Sequence, residues 1–211
     1  MTREERLGRA LGSDLVVSSR LVRRLELLVD LVQKWNPTIN VVGRSTTDQI
    51  WERHILDSVQ LFSCAAASQS LWLDIGSGGG FPGLVIAILA DEFLPDLKVA
   101  LVESDKRKAV FLSEAARQIG IVVAVHACRT ETLAPQAADV VSARALAALD
   151  DLCGYALRHL KASGICAFLK GSGAEVEIEA ARKAWHFEVD RVSSITDSKA
   201  SVLFLRDLRR G

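Results

Sequence analysis

The chain has 211 residues, a length suited to one α/β domain with an appendage, and its 26 Lys and Arg balance 26 Asp and Glu to a formal net charge of zero. With 49% apolar and 25% charged residues it has the make-up of an ordinary folded protein, which excludes disorder or low complexity as its main description. Zero net charge also excludes a domain that binds nucleic acid through overall charge alone, so any basic surface must be local.

No apolar run approaches the roughly 18 residues of a spanning helix, and the charged start Met1-Thr-Arg-Glu-Glu-Arg6 lacks a signal-peptide core. A cytoplasmic protein is expected, with no membrane partner. Cys64, Cys128, Cys153 and Cys166 are scattered, with no Cys-x-x-Cys pair and no histidines at ligand spacing. Neither a metal site nor a disulfide framework is expected from them.

The first 65 or so residues read as helical. Ser18 or Ser19 can cap a helix in which Leu21, Leu25, Leu28, Val29, Val32 and Trp35 recur at helical spacing, with an end expected at Asn36-Pro37. Trp35 closes that apolar stripe and reads as core rather than as a base-stacking ring. A second helix is expected from near Thr47, through Ile50, Trp51, Ile55, Val59 and Phe62. On it His54 and Asp57 lie three apart, and His54 reads as a hydrogen-bonded packing residue rather than a catalyst.

From Leu71 strand and helix signals alternate, which implies a parallel sheet with helices on both faces. The apolar run Leu71-Trp-Leu-Asp-Ile75 carries an acid, Asp74, and meets glycines at 76, 78 and 80 before Pro82 opens a helix. That order is strand, nucleotide-binding turn, helix. Phe81 stands where a dinucleotide fingerprint requires its third glycine, which argues against NAD. About 20 residues on, Lys98-Val-Ala-Leu-Val102 runs into Glu103, at the spacing of a ribose-binding carboxylate. A carboxylate there accepts from both hydroxyls of an adenosine ribose and repels a 2′-phosphate.

Asp105 to Gly120 reads as the next helix, and Lys106, Arg107 and Lys108 crowd its start against the macrodipole. They are candidate phosphate contacts, with a solvated charge run as the alternative. Further strands are expected at 121–125, 138–142 and 165–169, a helix at 146–160, and a closing hairpin from 186–192 and 202–205. Arg129-Thr-Glu131 leaves strand three beside the expected cofactor edge, and Ser142-Ala-Arg-Ala145 leaves strand four. Arg129 and Arg144 fit a structural ion-pair set as well as a site. The residues after strand four lack both the Asp/Asn-Pro-Pro-aromatic signature of amine methylation and a cysteine nucleophile for carbon methylation.

An acid on the first strand, the three glycines and an acid after the second strand together resemble the pattern of class I S-adenosylmethionine-dependent methyltransferases. More specifically, the chain is similar to the RsmG (GidB) family of bacterial 16S rRNA guanine-N7 methyltransferases. The resemblance spans nearly the whole sequence: Lys34-Trp-Asn-Pro-Thr-Ile-Asn40, Arg53-His-Ile-Leu-Asp-Ser58, Asp74 to Gly83, Lys106-Arg107 with Phe111-Leu112, Arg129-Thr-Glu131, Ser142-Ala-Arg-Ala145 and Lys170-Gly171. It implies a Rossmann-like α/β fold with a mostly parallel seven-stranded sheet flanked by helices. It also implies a helical extension over 1–65 packed on a methyltransferase domain over 66–211.

S-adenosyl-L-methionine is the implied cofactor, held by Asp74, Gly76, Gly78, Gly80, Phe81, Glu103, Thr130, Glu131 and Arg144. The implied partner is 16S rRNA, or the 30S subunit or its assembly intermediate, at guanine 527, met by a monomer. Lys106, Arg107, Lys108 and Lys170 are the candidate RNA contacts. Glu103 stands where the family often has Asp. No general base is expected, because guanine N7 carries an in-plane lone pair and no proton; Arg144 would position cofactor or substrate. The alternatives are a methyltransferase for another RNA, a small molecule or a protein, and a non-catalytic adenosine- or RNA-binding module.

Overall fold

The structure is a computed structural model that describes residues 1–12, 15–43 and 49–211. Its sheet contains β1 (Leu71–Ile75), β2 (Lys98–Val102), β3 (Ala124–His126), β4 (Ala138–Arg144), β5 (Leu160–Lys170), β6 (Trp185–Ser193) and β7 (Ser201–Arg210). Their spatial order is β3-β2-β1-β4-β5-β7-β6. The first five strands run parallel, whereas β7 is antiparallel to β5 and β6 to β7. The order reverses between β1 and β4, and in open sheets of this kind the crevice beyond such a reversal is where ligands bind.

The helices are α1 (Arg3–Leu11), α2 (Ser19–Ile39), α3 (Asp57–Val59), α4 (Gly83–Phe93), α5 (Lys106–Ile119), α6 (Leu149–His159) and α7 (Ala174–Ala181). Period-two alternation along the strands sends side chains to two separate cores. Trp72, Val99, Leu101, Val140, Ala167 and Phe204 face the first, which contains α1, α2, α4 and α5. Leu73, Ala100, Val102, Val141, Phe168 and Leu203 face the second, under α6 and α7.

The N-terminal helices have no core of their own. Leu21, Leu25, Leu28 and Val32 of α2 pack in one cluster with Phe111 of α5 and the stripe of α4. Burying each leucine contributes about 1.5–3 kcal/mol. This layer explains why α4 is buried on every side from Gly83 to Ala90: it lies between the sheet and the helices α2 and α3. Trp35 packs at 5.7 Å from Phe111, as a core aromatic does.

Several boundaries differ from expectation. Helix α2 runs through Pro37 to Ile39 and closes on Asn40 in the left-handed conformation, whose N–H donates to Asn36 O at 3.0 Å. Pro37 has no N–H for the carbonyl four residues before it and crowds that carbonyl, but so near the C-terminal end only the last turn depends on it. Thr47, the expected start of the second helix, lies outside the described residues. From Trp51 to Leu56 that segment is a π-helical turn, followed by α3 and by a tight 3₁₀ turn at Gln60–Cys64.

The third strand forms at 124–126 rather than 121–125, because Ile121 is used to cover the end of α5 while Val122 is 95% exposed. Helix α6 begins at Leu149 rather than Leu146, since Ala148 is still extended (ψ 158°) and caps the helix from outside. Helix α7 buries Ala174, Ile178 and Ala181 at helical spacing, but two of the three are alanines and Val176 is exposed, so its apolar stripe is too weak to be expected from the sequence pattern. The expected closing hairpin is present as β6 and β7.

Candidate active site

The turn after β1 is shaped by three left-handed glycines, Gly76 (φ 66°), Gly78 (φ 54°) and Gly80 (φ 87°), a conformation that side chains resist. Ser77 N donates to Val102 O at 3.0 Å, and Gly80 N and Phe81 N both donate to Ser77 O. The turn is therefore bound to β2 as well as to its own helix. At Gly79 a Cβ would lie 2.7 Å from Val41 O, so the segment leaving α2 presses on the loop from outside. At Gly78 a Cβ would meet protein only at 3.8 Å. That open face is where a ligand can approach backbone.

Asp74 acts from beneath. It is fully buried, its Oδ1 accepts from Ser142 Oγ at 2.7 Å and its Oδ2 accepts from Gly83 N at 3.2 Å. Ser142 Oγ in turn accepts from Trp72 Nε1 at 2.8 Å. Both carboxylate oxygens thus hold the first turn of α4 and the end of β4 onto β1. This corrects the expectation of direct cofactor contact: Asp74 supports the loop rather than lining its open side. Burial raises its pKa from 3.8 to about 7 against the opposing pull of those hydrogen bonds, and the Glu103 charge pushes the same way as burial.

Glu103 is 8% exposed, with Oε2 accepting from Gly78 N and Oε1 from Asp105 N, both at 2.8 Å. Each oxygen keeps a second lone pair, which is the acceptor set that two ribose hydroxyls require. Gly76, Cys128, Arg129, Thr130, Glu131 and Tyr155 line a small adjoining hollow, so the structure brings the residues after β3 to the same side as the glycine loop. Leu146 covers this hollow. Its Cδ1 lies 2.6 Å from where a Gly76 Cβ would stand, an approach that a helix starting at Leu146 does not suggest.

Phe81, after the loop, stacks on His54 with ring centroids 4.9 Å apart and planes 26° apart. Burial lowers the His54 pKa to about 3, with Arg144 and Arg53 adding repulsion, so the ring is neutral at physiological pH. Arg144, at the end of β4, makes no hydrogen bond or ion pair among the described residues, and its Nη1 is buried without a partner. The ion-pair alternative for Arg144 is thereby not realised.

The basic candidates separate. Lys106 and Arg107 are exposed at the start of α5, and Asp105 caps that helix by accepting from the N–H groups of Arg107 and Lys108. The capping carboxylate offsets the unfavourable placing of three cations. Lys170, expected to meet RNA, is 9% exposed and bonded to Glu177 Oε2 at 2.6 Å and Ala147 O at 2.9 Å. Glu177 also accepts from Leu149 N at 2.8 Å, so Lys170 is a strut between β5 and α6 and not a free surface cation.

All four cysteines are free thiols. Among the described residues no helix is long and apolar enough to cross a membrane, and no group of three or more His, Cys, Asp or Glu is set to hold a metal.

A parallel sheet reversed at β1 and β4, closed by an antiparallel hairpin, with a glycine turn and an acid after β2, defines a Rossmann-like methyltransferase. A methyltransferase from Pyrococcus furiosus has this fold at a TM-score of 0.57 and 12% identity, covering 88% of this chain and 98% of that one. The T. thermophilus 16S rRNA N2 G1207 methyltransferase in complex with AdoMet and guanosine matches at a TM-score of 0.51 and 16% identity, over 72% of this chain and 38% of that one.

The family described as rRNA small subunit methyltransferase G matches residues 21–205. Ribosomal RNA small subunit methyltransferase G of Cereibacter sphaeroides (strain ATCC 17025) is 52% identical over 192 residues, 91% of this chain and 92% of that protein. Its counterpart from Paramagnetospirillum magneticum is 49% identical over 195 residues, covering 92% and 93%. The chain belongs to the rRNA small subunit methyltransferase G family.

Proposed function

We propose that the chain transfers a methyl group from S-adenosyl-L-methionine to N7 of a guanine in bacterial 16S rRNA, guanine 527 being the family target. The observation that carries this reading is the joint presence of family membership and a cradle that fits the cofactor. The open face of Gly78 and the spare lone pairs of Glu103 would hold the adenosine, with Thr130 and Glu131 beside it. When bound, the cofactor supplies an electrophilic methyl on a sulfonium.

Transfer needs no base. Guanine N7 would attack with its in-plane lone pair, the bound cofactor would supply the methyl and keep the bonding pair on sulfur, and no proton would leave the ring. The protein's contribution is then alignment and electrostatics. A His54 held neutral, packed against Phe81, suits a site with no proton to move. Lys106 and Arg107, exposed at the start of α5, would supply local attraction for phosphates.

Labelled cofactor incubated with small-subunit particles from cells lacking the enzyme tests the substrate class. Label in the 16S rRNA fraction is the expected result. Label in ribosomal protein, or cofactor binding without any transfer, rejects it.

A further inference from the structure

Where β4 and β5 end, a cavity of about 430 Å³ is lined among others by Arg53, Asp57, Arg144 and Thr196. That volume suits a nucleobase with its sugar. Two of its side chains are incompletely used. Arg144 has no hydrogen bond or ion pair among the described residues, although a charge removed from water is costly without one. Asp57 accepts on Oδ1 from Ser194 Oγ at 2.8 Å, from Gln60 Nε2 at 3.2 Å and from Thr196 Oγ1, while Oδ2 accepts from nothing among the described residues.

Asp57 and Arg144 share the cavity and attract one another, yet no ion pair joins them. Arg53, which also faces the cavity, is engaged with Asp197 at 3.6 Å. The Oδ1 bonds, made with the segment after β6 and with Gln60, fix the carboxylate plane, so the free oxygen is held in place before any ligand arrives. A guanidinium donor and a carboxylate acceptor, side by side and separated, complement an edge that presents one acceptor next to donors. Among the bases, guanine has that edge: O6, then N1–H, then the 2-amino group. Adenine presents a donor and an acceptor in the reverse sense.

We infer that Asp57 and Arg144 read the Watson–Crick edge of the target guanine, Oδ2 accepting from N1–H and the 2-amino group while the guanidinium donates to O6. The inference rests on the reading of guanine N7 as acceptor and deepens it. N7 lies on the opposite edge from the 2-amino group and stays open to the methyl donor. The same carboxylate favours transfer, because methylation puts positive charge on the ring and makes N1–H a stronger donor, so its bond to Asp57 tightens as the reaction proceeds.

The test uses small-subunit particles assembled with rRNA carrying either guanine or inosine at the modified position. Inosine keeps O6, N1–H and N7 and lacks only the 2-amino group. The parent protein is expected to favour guanine by about 10- to 100-fold in kcat/KM, the scale of one hydrogen bond to a charged group. Asp57→Asn keeps a carbonyl for Ser194 and Thr196 but turns an amide towards the base, and its guanine-to-inosine ratio is expected to fall to within a few-fold of one. A purely structural Asp57 would lower both rates together and leave the ratio unmoved. A parent that treats the two particles alike overturns the inference without recourse to any variant, as does a variant that keeps the parent's ratio. No transfer even to the guanine particle overturns the acceptor reading itself.

Discussion

Glu103 Oε2 accepts the Gly78 N–H at 2.8 Å, so the acid that follows β2 is bonded to the middle of the glycine turn that follows β1. One carboxylate therefore sets the loop, and in the proposed function its remaining lone pairs would take the ribose hydroxyls. Glu103→Ala is expected to weaken S-adenosylhomocysteine binding by about 1.5–3 kcal/mol, the value of hydrogen bonds to a charged group. Calorimetry on a variant of unchanged fold measures it, and undiminished affinity moves the ribose ligand elsewhere.

Gly76 and Gly78 share a left-handed backbone but differ in what a side chain would meet. Gly78→Ala adds a methyl that finds protein only at 3.8 Å, so stability is expected to fall by about 1–2 kcal/mol from backbone strain while cofactor binding falls steeply. Gly76→Ala adds the same strain and also drives into Leu146 at 2.6 Å, so its thermal midpoint is expected to drop further. Equal midpoints for the two variants argue that Leu146 swings away without cost.

Asp74 gives the fold a pH dependence of defined sign. Its pKa is about 7 folded, against 3.8 as the reference, so the folded state binds a proton that the unfolded state has already lost between those values. Stability from this group is then fully present below about pH 4 and is lost as pH rises towards 7. Asp74→Asn, neutral throughout, is expected to flatten the dependence of unfolding free energy on pH between about 4 and 7. Parallel curves for parent and variant place the buried charge elsewhere.

Asp74 and Glu103 also mark how far the sequence is legible. With the three glycines they are local signals: each sits at a fixed step from a strand end, and the loop, both acids and the caps of α5 follow from those steps. What each acid does is less legible, because both read alike as strand-end carboxylates, yet one is closed beneath Gly83 and Ser142 and the other is bonded to the glycine turn at Gly78 and to Asp105 N. Pairings between distant segments leave no local trace. Ser194 reaches Asp57 across 137 positions, and Leu146 meets Gly76 in a segment that stays non-helical up to Ala148, where apolar spacing alone suggests a helix. Lys170 has the same limit: a lysine after a strand reads as surface charge until Glu177 is seen beside it.

Lys106 and Arg107 are exposed at the start of α5, Arg107 lying 3.3 Å from Asp105, whereas Lys170 is buried and engaged with Glu177. Neutralising Lys106 and Arg107 to Gln is expected to reduce the salt dependence of RNA binding by nearly one unit of slope for each phosphate that a cation no longer neutralises. Slopes identical to the parent's return both residues to the solvated surface.

The atom that receives the methyl group defines the reaction, and chemical mapping of that atom tests it most directly. Small-subunit particles lacking the modification, treated with protein and cofactor, are reduced and cleaved with aniline, which breaks RNA at 7-methylguanine. The expected result is one new scission in 16S rRNA, at guanine 527, dependent on both protein and cofactor and absent with Arg144→Ala under single-turnover conditions too short for a rate slowed roughly 100-fold. Methyl label in the rRNA without that scission would contradict N7 as the acceptor.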